Sequence, residues 1–303
     1  MIEFRKLTCD DRQAFQEYLP YCQGKGCEYS FANLCMWGRQ RAAFMDGFLV
    51  LFSQFDRSSV YPFPLGQGDI KAILDAIIHD ARARGIPCRL SSMTEAECNL
   101  VESLYPGQFR FHTDRDNYDY VYAIEDLAAL RGKRYQSKRN FANRFRIQHP
   151  DCQVLPLDDT TTEAAKELVA KWLQSKQEAD PLLDTHLEQT ALNRAFSRWE
   201  ELGLEGLVLM ENGQALAMTM GSFLSPDTFD IHFEKALEGI EGAYAAVNQS
   251  FAQYLQGKYP QLRYLNREDD LGIDGLRKAK LSYHPDHLVT KYWARLWEET
   301  DEN

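Results

Sequence analysis

Residues 206–224, GLVLMENGQALAMTMGSFL, and the run TFDIHFEKA at 228–236 decide how this chain folds. Asn212-Gly213 stands between two apolar stretches, and that dipeptide suits a two-residue hairpin turn because both central positions need φ above zero. A third strand follows, then a loop carrying Gly239 and Gly242, a helix over 243–255, and the strand LRYLN at 262–266. The same order of parts stands earlier. RAAFMDGFLVLFSQ (41–54) turns at Asp46-Gly47, and SSVYPFP (58–64) and the loop LGQG (65–68) lead into an amphipathic helix. In that helix Ile70, Ile73, Leu74, Ile77, Ile78 and Ala81 recur at three/four spacing, and Gly85 stops it. The strand PCRLSS, a capping box of Thr94 and Glu97, and strands near 109–112 and 118–123 complete a first half. The expectation is an α/β (α+β) chain of two units, residues 1–128 and 129–303, with mixed sheets flanked by helices. Residue identity between the halves is low, so the repeat is one of architecture.

The chain has 303 residues, enough for two packed domains. It contains no apolar run of the 18 or so residues that a membrane span needs. The first residues, MIEFRKLTCDDRQ, mix acids and bases and lack a signal-like core. Seven cysteines, an odd number without a CxxC pair, read as free thiols of a reducing compartment, so a cytoplasmic location is expected. The net charge of −11 opposes unselective nucleic-acid binding. Its distribution is uneven, however. Arg131, Lys133, Arg134, Lys138, Arg139, Arg144 and Arg146 fall in one stretch without an acid, and the rest of the chain is strongly acidic.

Three segments carry candidate chemistry. In KRYQSKRNFANRF (133–145) a helix from about 135 to 147 is expected. Lys138, Arg139, Asn143 and Arg144 would meet an anionic substrate there, and Phe141 and Phe145 would dock the helix to the core. A solvated basic face is the plain alternative. In TFDIHFEKA the period of two sends Phe229, Ile231 and Phe233 to one face and Asp230, His232 and Glu234 to the other. His232 or Glu234 on that face is a candidate general base. An exposed sheet face with ordinary ion pairs is the alternative. In NREDDLGIDGLRKAKLSYHP (266–285), Asn266 ends a strand and Arg267 opens a loop at its C-terminal edge, a common ligand position in open α/β sheets. Glu268, a further catalytic candidate, and Asp269 would fix an ammonium, while Arg277 and Lys280 would meet a carboxylate or phosphate. The three acids 268–270 match no calcium-loop spacing, and no metal is assigned. Tyr244 and Asn248, one turn apart after the glycine loop, would line the same cleft. Gly239 and Gly242 would admit a ligand to the backbone or simply make a tight turn. The glycines of the first half, Gly66 and Gly68, lack comparable charge around them, which puts the working site in the second half.

Hairpin, strand, glycine loop, helix, strand is the element order of the GNAT-type N-acyltransferase fold, in which the helix start offers free N–H groups to a donor. The segments 133–145, 230–255 and 264–285 resemble a bacterial family related to the C-terminal domain of phosphatidylglycerol lysyltransferase, itself similar to the Fem-type aminoacyltransferases. That resemblance implies two tandem GNAT-like domains and transfer of an aminoacyl group from aminoacyl-tRNA to an amine or hydroxyl. Catalytic residues of the lysyltransferase are not transferred to this sequence. An N-terminal membrane domain of the lipid-modifying enzymes is not evident, which lowers the weight of a lipid acceptor against a small-molecule or peptide one.

No nucleophilic Ser or Cys motif, P-loop or dinucleotide fingerprint stands in the sequence, so direct attack without a covalent enzyme intermediate is expected. Three functions remain open: a transferase using aminoacyl-tRNA bound through 133–146, an N-acyltransferase using acyl-CoA, and a non-catalytic binding protein on the same fold.

Overall fold

In a computed structural model, which describes residues 1–38, 40–55, 58–180 and 185–297, the chain forms two mixed sheets. The charged tail at 298–303 lies outside the described residues. The first sheet contains β1 (Arg5–Lys6), β2 (Gln40–Met45), β3 (Phe48–Phe55), β4 (Ser58–Pro62), β5 (Leu65–Gly66), β6 (Arg89–Met93) and β7 (Phe109–Thr113). The second contains β8 (Asp119–Ala123), β9 (Gln153–Pro156), β10 (Glu205–Glu211), β11 (Gln214–Ser225), β12 (Thr228–Ala236), β13 (Tyr264–Asn266) and β14 (His287–Val289). The last strand, β15 (Tyr292–Leu296), returns to the first sheet and lies between β6 and β7. Around the sheets lie α1 (Arg12–Gln16), α2 (Phe31–Trp37), α3 (Ile70–Arg84), α4 (Glu95–Leu104), α5 (Ile124–Ala129) and α6 (Gln136–Gln148). They are followed by α7 (Thr162–Ala179), α8 (His186–Ser197), α9 (Trp199–Leu202), α10 (Ala243–Lys258) and α11 (Asp274–Leu281).

The repeated order is present in both sheets. Asp46 and Gly47 have φ of 50° and 80°, and Asn212 and Gly213 have 51° and 78°, the paired left-handed geometry that the hairpin dipeptides imply. β4 then pairs parallel with β6 across α3, as β12 does with β13 across α10. The capping box at Thr94 and Glu97 closes reciprocally, at 2.8 and 3.3 Å. The glycine loop of the first half packs on its own hairpin: a Cβ on Gly66 would overlap the Gly47 carbonyl.

Two strands cross from one half of the sequence to the other sheet. β8, read from sequence as closing the first half, pairs with β13 and β14 in the second sheet, and β15 completes the first. One hydrophobic cluster likewise joins the halves, mixing Phe31 and Leu34 of α2 with Leu168 of α7, Leu192 of α8, and Met218, Met220 and Phe233 of the second sheet. The seven cysteines are free thiols. Among the described residues no helix is long and apolar enough to cross a membrane.

The two crossing strands are tied together by charge. Lys291, directly before β15, is buried with its ammonium 2.6 Å from Asp119 at the start of β8 and 2.7 Å from Glu28. Burial pulls this ammonium down, but Asp119, Cys27 and Glu28 around it more than reverse that and hold it well above the ordinary lysine range. Removing one partner of a buried pair leaves the other charged and unpaired. Lys291→Met should therefore cost about 3–5 kcal/mol in urea unfolding. Lys71→Met, at the exposed pair with Asp75, should cost about 1 kcal/mol or less. Equal losses would show that the buried pair has no special weight.

Candidate functional site

Gly221 interrupts the apolar run of β11, and it changes what β12 presents. The two strands pair in one register up to Met220–Phe233 and in another from Gly221–Ile231, so His232 has no residue of its own opposite it. Such a bulge sets two residues against one and breaks the alternation of faces. A Cβ on Gly221 would overlap the Asp230 carbonyl, which accounts for glycine at this position. Phe229 and Ile231 pack on the α10 side, whereas Phe233 packs with α2 and α7. The single polar face expected for Asp230, His232 and Glu234 is therefore divided. Asp230 and His232 look toward the first half, and Glu234 looks toward α10.

A fork lies at the same place. β12 and β13 run parallel for three pairs, ending at Asp230–Asn266. Beyond that point β12 continues to Ala236 while the other chain turns away through Arg267 and Glu268. Glu268 has φ of 57°, a left-handed conformation that costs a non-glycine residue of order 1–3 kcal/mol. Asn266 holds it there, because its Oδ1 accepts the Glu268 N–H at 2.7 Å.

On the α10 side of the fork, Glu234 accepts from Arg267 Nη2 at 2.8 Å and from Asn248 Nδ2 at 3.2 Å. The Arg267 guanidinium lies over Tyr283, at 4.8 Å, and Lys138 of α6 lies over the same ring, at 4.0 Å. Burial, and then the charge of Arg267, push the Lys138 ammonium below the ordinary lysine range. Arg267 Nη1 is buried without a hydrogen-bond partner. Two cations thus lie against one ring while only Arg267 is paired with the carboxylate, and a further anion or a developing negative charge would be welcome beside them. Tyr244, 43% exposed at the start of α10, flanks this group beside Trp172. The Trp172 ring is covered by Lys235, which pairs with Glu188 at 2.6 Å.

On the opposite side His232 is enclosed. Its Nε2 lies 2.8 Å from Ser222 Oγ, and its Nδ1 lies 3.4 Å from Asp230 and 3.5 Å from Glu268. Asn33 of α2 reaches in from the first half and donates to Glu268 at 2.8 Å. Burial, and then the neighbouring Glu268, raise the Asp230 carboxyl well above the ordinary aspartate range. Asp119 extends the seam, accepting from Asn266 Nδ2 at 2.9 Å and from the Cys27 N–H at 2.7 Å.

Several expected contacts are absorbed by the fold. Arg139 donates through Nη1 to the Leu130 and Gly132 carbonyls, where it satisfies the end of α5. Arg144 pairs with Glu241, and Asn143 accepts from Arg146. Arg277 is clamped by Asp270 and Asp116, and Lys280 donates to the Arg267 and Asp269 carbonyls; both brace the loop after β13. Phe145 docks α6 as expected, but Phe141 is exposed. Gly242 serves that docking, since a Cβ there would overlap the Phe141 carbonyl. Lys138, Glu234, Asn248, Tyr244 and Arg267 do come together. Asn33, Asp119, Ser222 and Lys291 were not expected, and only Gly221 inside a strand pattern signalled a bulge.

The model of the phosphatidylglycerol lysyltransferase C-terminal family matches residues 21–295. The crystal structure of a conserved protein of unknown function from Bacteroides thetaiotaomicron VPI-5482 is 37% identical, covers 98% of this chain and 100% of that one, and superposes with a TM-score of 0.93. The structure of L-PGS from Bacillus licheniformis covers 94% of this chain and 91% of that chain with a TM-score of 0.67, and at 16% identity it shares the fold. An uncharacterized protein of Mycoplasmoides gallisepticum is 22% identical over 213 residues, 68% of this chain, and the match spans 64% of that protein's length. The GNAT-like class expected from the element order and the relation to the lysyltransferase C-terminal domain both hold.

The charged seam should be visible in the pH dependence of stability. Burial, with Asp119 and Glu268 adding to it, pushes the Asp269 carboxyl up to about 6. An acid whose pKa is higher folded than unfolded binds more protons in the folded state. Its contribution is complete below the ordinary aspartate range and is lost as pH rises through about 6. Asp269→Asn should therefore flatten the loss of stability between about pH 4 and 6 in urea titrations. An unchanged slope would place the titration elsewhere.

Proposed function

The chain belongs to the phosphatidylglycerol lysyltransferase C-terminal family, and from that membership and the fork we propose that it transfers an aminoacyl group from aminoacyl-tRNA to an amine or hydroxyl acceptor. The observation that carries this reading is the group of Lys138, Arg267 and Glu234 where β12 parts from β13. The acceptor attacks the aminoacyl ester carbon directly. A new amide or ester bond forms, the bond to the tRNA ribose oxygen breaks, and that oxygen leaves with a proton. Glu234 takes the proton of the acceptor, fixed for the purpose by Arg267 and Asn248. Lys138 and Arg267, whose Nη1 is unpartnered, stabilise the negative charge that develops on the carbonyl oxygen. His232 and Glu268 act from behind the fork, as supports of the Arg267 loop. The exposed bases Arg131 and Lys133 at the mouth of α6 meet the tRNA backbone.

An acyl-CoA donor is the competing reading. It relies on a glycine loop and an open helix start, and here the backbone of α6 packs on Gly242 at the start of α10.

Incubation of the purified protein with a charged tRNA mixture, and separately with a panel of CoA thioesters, distinguishes the donors. Binding of charged tRNA should weaken with salt, and Arg131→Glu with Lys133→Glu should reduce the log–log salt slope by about 0.7–0.9 for each phosphate no longer neutralised. Stabilisation by a thioester without tRNA binding would support the CoA reading, and silence with both would leave a binding protein. With a responding acceptor, Glu234→Gln should lower kcat/KM by roughly 10²–10⁴-fold. A smaller fall than for His232→Gln would move the base to the other side of the fork.

A further inference from the structure

The enclosed side of the fork is built unlike a plain hydrogen-bond network. His232 and Asp230 have fully buried side chains, and Glu268 is 24% exposed. One ligand atom from each of the three lies within 4.8 Å of the others. The imidazole can place a single Nδ1 proton between two carboxylates, and Asp230 Oδ1 is buried with no donor at all. Among the described residues, no lysine or arginine stands within ion-pair distance of Asp230 or Glu268. The nearby Lys291 is occupied by Asp119 and Glu28, and Lys280 by backbone carbonyls. A buried carboxylate without a compensating cation is costly, and here the His232 imidazole alone stands against two of them among the described residues.

We propose that Asp230, His232, Glu268 and Asn33 form a binding site for one divalent transition-metal ion that locks the fork. Ser222 is hydrogen-bonded to Nε2, which leaves Nδ1 directed at the two carboxylates, the arrangement by which an outer partner fixes a metal-binding histidine. Asn33 Oδ1 is also buried without a donor. A half-turn of that amide, which gives up its hydrogen bond to the Cys27 carbonyl, brings Oδ1 toward the place Nδ2 now holds, beside Glu268 and Asp230. One imidazole nitrogen with three oxygens suits manganese, iron(II) or zinc better than calcium or magnesium, and water would complete the shell. The ligands come from α2, from β12 and from the turn after β13. The ion therefore ties the first half to both prongs of the fork and sets Arg267, the neighbour of Glu268, in place. It acts by holding these elements, and the site does not depend on the transfer reading.

The test uses the whole chain, stripped with chelator and dialysed separately against manganese or zinc. Metal analysis should find about one ion per chain, with a rise in Tm of several degrees over the stripped protein. Glu268→Gln should cut the bound metal at least tenfold. Ser222→Ala, which spares every ligand, should weaken affinity about 10- to 100-fold. Because Asp230→Asn and His232→Gln change a closed interior, circular dichroism of each variant accompanies the measurement. Nitrogen coupling in the electron paramagnetic resonance of the manganese form should vanish in His232→Gln. Two results would overturn the proposal: less than about a tenth of an equivalent of either metal, or binding that persists in Glu268→Gln and Ser222→Ala alike.

Discussion

Lys291 and Asp119 lie 2.6 Å apart in the interior, and the rest of the molecule is arranged around that contact. Each stands at the entrance of a strand that belongs, by sequence, to the other half. Asp119 begins β8, which completes the second sheet, and Lys291 precedes β15, which completes the first. Bringing two charges out of water is unfavourable unless they pair closely and their remaining valences are filled. Asp119 fills its own with the Cys27 N–H and with Asn266, and Asn266 in turn holds the Glu268 N–H. The pairing that fixes the strand exchange thus continues, residue by residue, into the turn that opens the fork.

The bulge opposite Gly221 gives that fork two chemically different sides. A regular strand would have placed Asp230, His232 and Glu234 together, with three titrating groups competing for one space. The extra residue sends Glu234 to α10 and leaves Asp230 and His232 with α2. One side becomes cation-rich and partly open, and the other becomes acidic and closed. Arg267 and Glu268 are consecutive, so the two sides share a turn although their side chains do not mix. A shift on the closed side would move Arg267 directly, without any longer path of coupling.

The architecture was legible because its signals are local. Hairpin dipeptides, the spacing of Ile70 through Ala81, the stop at Gly85 and the Thr94–Glu97 box each act within a few residues, and each is realised. The exchange of β8 and β15 was not legible, since strand partners are chosen by the shared core and by a buried ion pair across 172 positions, from Asp119 to Lys291. Among the candidate residues, Asn248 follows Tyr244 by one turn and Glu234 meets Arg267 from the neighbouring strand, while Lys138 joins them only through packing of α6 on Tyr283. The structural partners of Arg139, Arg277 and Lys280 were not legible, because charge alone does not say which carbonyl or carboxylate a side chain reaches. Asn33 carried no signal at all. It lies in an aromatic stretch, and its place beside Glu268 exists only after the halves have packed.

The same reasoning explains why the second half holds the fork although both halves share the plan. In the first half, β4 and β6 also run parallel, but only through Tyr61–Leu90 and Pro62–Ser91. Its nearby cation, Lys25, is already paired with Glu97 and covered by Tyr29 and Phe63. Its helix start is capped by Asp69, whose carboxylate occupies the position an anion would take. In the second half Gly242, which has no side chain, stands at the corresponding helix start, and Arg267 and Lys138 lie over one ring beside Glu234. The two halves thus share a plan and differ, among the described residues, in the charge that stands at the corresponding helix start.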